Sequence, residues 1–118
     1  MKGDHADGAR LQHALDAIYE VEKYTSRIAF EEFEQNSMMR FACIKQLEII
    51  GEACNHLSKD LKARFTEIQW AQIVGMRNVF VHEYFGIDTR LVWEIIQHDM
   101  PELRDQLLRL RAWVEKST

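Results

Sequence analysis

Apolar side chains recur at spacings of three and four along most of this 118-residue chain. Leu11, Leu15, Ile18, Val21, Tyr24 and Ile28 make the first stripe. That spacing is one face of an amphipathic helix and predicts helix over roughly Ala9 to Ile28. Glu20, Glu22 and Lys23 lie off the stripe and belong in water. Residues 1–8 are small and polar and read as a flexible tail, which leaves 9–118 as the folded unit. Phe30-Glu31-Glu32-Phe33-Glu34 follows as an acidic-aromatic connector of about one helical turn.

The second stripe is the cleanest: Met39, Cys43, Leu47, Ile50, Cys54 and Leu57. Ala42, Ile44, Ile49 and Ala53 widen it, so this helix is expected at the centre, capped by Asn36 or Ser37. Gly51 stands in its interior at a cost near 1 kcal/mol against alanine. Such a cost points to a close backbone approach, by a neighbouring helix or by a second subunit. Ser58 is placed to cap a short helix from Lys59 to Phe65. Thr66 is the candidate cap of a third long helix carrying Ile68, Trp70, Ile73, Val74, Val79, Phe80 and Val81, with Gly75 inside it. Asp88 is the candidate cap of a fourth, through Val92, Ile95 and Ile96. Pro101 should break or kink that run before it resumes through Leu103, Leu107, Leu110 and Val114.

Strand-type alternation, hairpin signals and internal repeats are absent from the sequence. The expected fold is all-α: one antiparallel bundle of four to five helices. With one proline and five glycines, few breakers interrupt the helices. A net charge of −4 argues against a general nucleic-acid coat, whose affinity rests on a basic excess. It leaves room for an enzyme that meets RNA through a local basic patch. Arg40, Lys45, Arg64 and Arg90 are candidates for that patch.

Cys43 and Cys54 lie eleven residues apart on one helical pattern. At 1.5 Å per residue that is about 16 Å, too far for a bridge. They read as buried thiols of a reducing compartment. No apolar leader opens the chain and no apolar run is long enough to span a membrane, so a cytoplasmic protein is expected. His5, His13, His56, His82 and His98 show no metal-ligand spacing, and no phosphate-binding glycine loop is present. No metal or cofactor is therefore expected. Trp70, Trp93 and Trp113 fall in helical patterns and read as core side chains.

Chemistry concentrates in Met76-Arg77-Asn78-Val79-Phe80-Val81-His82-Glu83-Tyr84-Phe85-Gly86. Asn78 and His82 share a helix face, whereas Arg77 lies about 140° round from His82. Arg77 and His82 therefore converge only if the helix loosens near His82 or if residues meet across a subunit boundary. Arg77 is suited to gripping a phosphate bidentately and to neutralising charge on a pentacoordinate phosphorus. His82 is suited to moving a proton at a ribose 2′-hydroxyl or a leaving 5′-oxygen. Asn78 is suited to orienting either partner. On composition alone, the same residues are also an ordinary polar end of a core helix.

The stretch Arg77-Asn78-x-x-x-His82-x-Tyr84 resembles the signature of the HEPN superfamily, in the form typical of HepT-type toxins. Ile49-Ile50-Gly51-Glu52-Ala53, Trp70-x-x-Ile73-x-Gly75-Met76 and Val92-Trp93 followed by Asp99-x-Pro101 are similar to the same family. The resemblance covers nearly all of the chain past residue 8. It implies a helical homodimer whose active site forms where two copies of the motif face each other. It implies a metal-independent ribonuclease with Arg77 and His82 catalytic and Asn78 supporting; Glu52, beside Gly51, reads either as a surface carboxylate or as a further supporting residue. It also implies a minimal nucleotidyltransferase antitoxin as partner, which silences the toxin by adding AMP to Tyr84. The alternative under the same resemblance is a non-catalytic helical adaptor that binds a nucleotidyltransferase or a nucleotide.

Overall fold

A computed structural model describes residues 5–82 and 86–117, and for His5 and residues 77–82 the backbone alone. Every regular element among the described residues is helical. The order is α1 (His5–Tyr24), α2 (Phe30–Gln35), α3 (Ser37–Asn55), α4 (Lys59–Arg64), α5 (Trp70–His82), α6 (Thr89–Glu94) and α7 (Met100–Lys116). A single turn of π-helix, Ile95–Asp99, joins α6 to α7 without a break. Four long runs, α1, α3, α5 and α6 through α7, make the all-α bundle that the periodicity predicts.

The packing follows the stripes. α1 lies against α3 and α7, and α3 also lies against α5. Leu11, Leu15, Ile18 and Val21 of α1 are fully buried, as are Cys43, Leu47, Ile50 and Cys54 of α3. Leu103, Leu107 and Leu110 of α7 close the core from the other side. Polar ties fix the directions. Arg10, near the start of α1, donates to the carbonyl of His56, just past α3, at 2.7 Å. Arg104, near the start of α7, pairs with Glu22 at the end of α1, and Arg111 donates to Gln12 at 2.9 Å. Both neighbours of α1 therefore run antiparallel to it. Burial of both thiols removes the water that would stabilise a thiolate, and pushes Cys43 and Cys54 up from 9.0 to about 12.

The caps explain most of the boundaries. The Asn36 side chain accepts from the backbone N–H of Met39 at 3.0 Å. Ser58 accepts from Leu61 at 3.2 Å, and Asp88 from Arg90 and Leu91 at 2.9 and 3.3 Å. The acidic-aromatic connector is a helix in its own right: Glu32 accepts from the N–H of Ala29, and Phe33 is fully buried. Phe33 and Phe30 meet the Trp93 ring at centroid distances of 5.1 and 6.0 Å, which pins α2 beside α6.

Three boundaries differ from expectation. α1 already includes residues 5–8, which composition assigns to the tail, because the buried Asp7 finds a partner in Ser58. It ends at Tyr24, not Ile28, where Arg27 takes a φ of 62°, the left-handed region that stops a right-handed helix. α5 begins at Trp70, not after Thr66. Ile68 is buried in a turn closed by its own N–H to the carbonyl of Phe65 at 3.2 Å. The Trp70 indole N–H donates to that same carbonyl at 3.0 Å. Pro101 does not break the last run: it sits in the first turn of α7, and the wide π-turn just before it takes up the misfit.

Candidate functional site

The candidate chemistry sits on α5, and the first half of that helix fixes it in place. Trp70, Ile73 and Met76 are half-buried against the core, and α5 packs against the central helix α3. Met76 directly precedes Arg77, so the polar residues begin where a core-anchored segment ends. The backbone stays helical through His82. Arg77, Asn78 and His82 therefore stand on one continuous helix. Asn78 and His82 are one turn apart on the same face, and Arg77 is about 7.5 Å along the axis from His82 and about 140° round from it. Of the two routes to convergence, a loosened helix is not taken up to His82. Tyr84 lies outside the described residues.

Glu52 belongs to α3, the neighbour of α5, in its last turn. Its carboxylate oxygen lies 2.7 Å from Nε2 of His56, the residue just past the end of α3. Gly51 beside it is buried. The structure thus puts Glu52 on the helix next to the motif and gives it His56 as a partner. His13, His56 and His98 are exposed, in keeping with solvated positions, and His98 lies 3.0 Å from Glu94. Among the described residues no group of three or more His, Cys, Asp and Glu gathers in a way that could hold a metal ion.

The four candidate cations are each engaged locally. Arg40 donates to the carbonyls of Phe33 and Glu34 and so ties α3 to the end of α2. Arg64 lies over the Trp113 ring at 5.2 Å and Arg90 over the Phe30 ring at 3.7 Å. Lys45 is 3.9 Å from Glu48. The tryptophans behave as expected, half-buried and packed on the core, with Trp113 edge-on to Phe65 at 5.7 Å.

One feature escapes the sequence patterns. A groove of about 570 Å³ runs between α5 and the α6–α7 run. Ile73, Met76, Ile95 and Leu103 line it, with Glu67, Asp99 and Glu102 around them. Gly75 also faces it, and among the described residues a methyl group built there meets no side chain or neighbouring element within 4 Å. The lone sequence signal was that glycine inside a helix. Its lining comes from two stretches, residues 67–76 and 91–106, which no local pattern connects.

Comparison with known proteins gives the family. The model described as "Ribonuclease HepT-like" matches residues 14–110, a span that contains all the candidate site residues. "Probable ribonuclease HepT" of Thermococcus cleftensis is 38% identical over 111 residues, 94% of this chain and 99% of that protein. "Putative RNase MJ1380" of Methanocaldococcus jannaschii is 38% identical over 99 residues, 84% of this chain and 91% of that protein. "Putative RNase TTE0752" of Caldanaerobacter subterraneus is 36% identical over 97 residues, 82% of this chain and 87% of that protein. No solved structure matches the chain.

Proposed function

The chain belongs to the HepT-like ribonuclease family, and we propose that it is a metal-independent endoribonuclease, the toxin of a toxin–antitoxin pair, acting as a homodimer. The observation that carries this reading is the unbroken α5. It holds Arg77, Asn78 and His82 in fixed register on a helix anchored through Ile73 and Met76. One regular helix does not bring Arg77 and His82 together, and a second copy of α5 supplies the missing half.

In this reading the RNA supplies its own nucleophile. A neutral His82 imidazole takes the proton from a ribose 2′-hydroxyl, and O2′ attacks the adjacent phosphorus. The P–O5′ bond breaks, and the imidazolium so formed returns its proton to the 5′-oxygen. The products are a 2′,3′-cyclic phosphate and a 5′-hydroxyl. The Arg77 guanidinium grips the non-bridging oxygens and neutralises the charge that grows on them. Asn78 and Glu52 support the arrangement. A minimal nucleotidyltransferase antitoxin adds AMP to Tyr84. Two residues from His82, that adenylate brings bulk and negative charge to where the RNA phosphate must lie. The pair works in the cytoplasm.

The test incubates purified protein with RNA in excess EDTA, beside Arg77→Ala and His82→Ala variants. Intact mass must show Tyr84 unmodified. Wild type should cut and leave cyclic phosphate ends, and each variant should lose about 100-fold or more. An unmodified wild type that cuts none of the messenger or transfer RNAs offered ends this reading.

A further inference from the structure

The groove beside α5 does not suit RNA. Glu67, Asp99 and Glu102 surround it, all three are exposed, and no lysine or arginine lines it among the described residues. None of the three carboxylates has a hydrogen bond or ion pair among the described residues. A phosphate backbone would be repelled there. The apolar lining points elsewhere. Leu91 at the mouth is half exposed, while Met100 and Leu103 deeper in are buried. Exposed apolar surface rimmed by unneutralised charge of one sign is built for a complementary surface.

A second copy seated groove against groove is a poor fit, because the two acidic rims would then face each other. Gly75 sharpens the shape of the occupant. It stands in a helix interior, where glycine is costly, and among the described residues no side chain or neighbouring element comes within 4 Å of the space its missing side chain leaves. That gap lets a foreign helix come close to the α5 backbone.

We propose that the groove between α5 and α6–α7 docks an amphipathic helix of a partner protein, whose apolar stripe sits on Ile73, Met76, Ile95 and Leu103 and whose flanking lysines or arginines meet Glu67, Asp99 and Glu102. One wall of the groove is the segment that directly precedes Arg77, so the occupant lies against the helix carrying the motif. The proposal concerns binding and holds whether or not the chain cuts RNA.

A short helical Leu/Lys peptide, with leucines at helical spacing, is the probe, and its Leu/Glu counterpart is the control. Titration should show the Lys peptide binding wild type and the Glu peptide not binding. The Glu67→Lys, Asp99→Lys, Glu102→Lys triple variant should bind about tenfold or more weakly. An Asp16→Lys, Glu31→Lys, Glu34→Lys variant, equal in net charge and distant in sequence, should stay within about twofold. Gly75→Leu should fill the gap and weaken binding about tenfold while the circular dichroism stays native. Equal loss in both triple variants would mean bulk attraction and would overturn the proposal. So would Gly75→Leu binding as wild type does, displacement of the Lys peptide by an oligoribonucleotide, or a groove triple variant that loses self-association seen in wild type by sedimentation.

Discussion

Asp7 and Ser58 are joined by two hydrogen bonds across 51 residues of chain: the Ser58 N–H donates to one carboxylate oxygen at 2.8 Å and its hydroxyl to the other at 2.6 Å. Asp7 is 1% exposed. One carboxylate thus fastens the first turn of α1 to the cap of α4. Removing it leaves the Ser58 N–H without its acceptor, an omission worth about 1–3 kcal/mol. Asp7→Ala should lower the urea midpoint accordingly at unchanged slope. Ser58→Ala should cost less in the presence of Asp7→Ala than alone, since the two share one interaction. Additive losses would show that the pair does not act as a unit.

Gly75→Ala should stabilise the protein. The position is inside α5, an added methyl meets no side chain or neighbouring element within 4 Å among the described residues, and alanine gains about 0.5–1 kcal/mol over glycine in a helix interior. Thermal unfolding measures it, and a lower midpoint would mean that the site has a neighbour that the free chain does not show.

These two positions also mark the limits of reading from sequence. Helix-period stripes made the core legible, since burial of one face is what a spacing of three and four encodes. Leu11, Leu47 and Leu107 fall where that rule puts them. Local caps such as Asn36, Ser58 and Asp88 were legible too, because a cap is a contact within three residues. Asp7 was not, because its partner is 51 residues on and a lone acidic residue before a stripe looks like a tail. Ile68 misled for the opposite reason. It keeps helical spacing with Trp70 and Ile73 but is buried from a turn, and periodicity cannot distinguish the two. Arg77, Asn78 and His82 were legible as residue types and register, whereas the groove needed the tertiary fold.

The two buried thiols set a pH limit. Each is pushed from 9.0 to about 12 in the folded chain by loss of solvent. Below about pH 9 both states keep the proton and the thiols add no pH dependence. Between about 9 and 12 the unfolded chain sheds protons that the native chain holds, so stability falls as pH rises through that window. Urea melts at pH 8, 9 and 10, compared with a Cys43→Ala, Cys54→Ala variant, isolate the contribution. The variant should start less stable and show a shallower decline. Iodoacetamide, which needs thiolate, should modify both cysteines far faster in urea than in buffer.

Subunit mixing tests the two-copy site directly. Arg77 and His82 are five residues apart on a helix that stays regular between them, so the proposed centre takes one from each copy. Arg77→Ala and His82→Ala homodimers should then both be inactive. Unfolded together and refolded in equal amounts, half of the dimers carry one variant of each kind. Such a dimer pairs an intact Arg77 from one copy with an intact His82 from the other at one of its two positions. Recovery to about a quarter of wild-type cleavage is expected for independent positions in a two-fold dimer. A chain that completes its site alone gives no recovery, because every copy in the mixture lacks one of the two side chains. The outcome therefore separates a shared centre from one contained within a single copy.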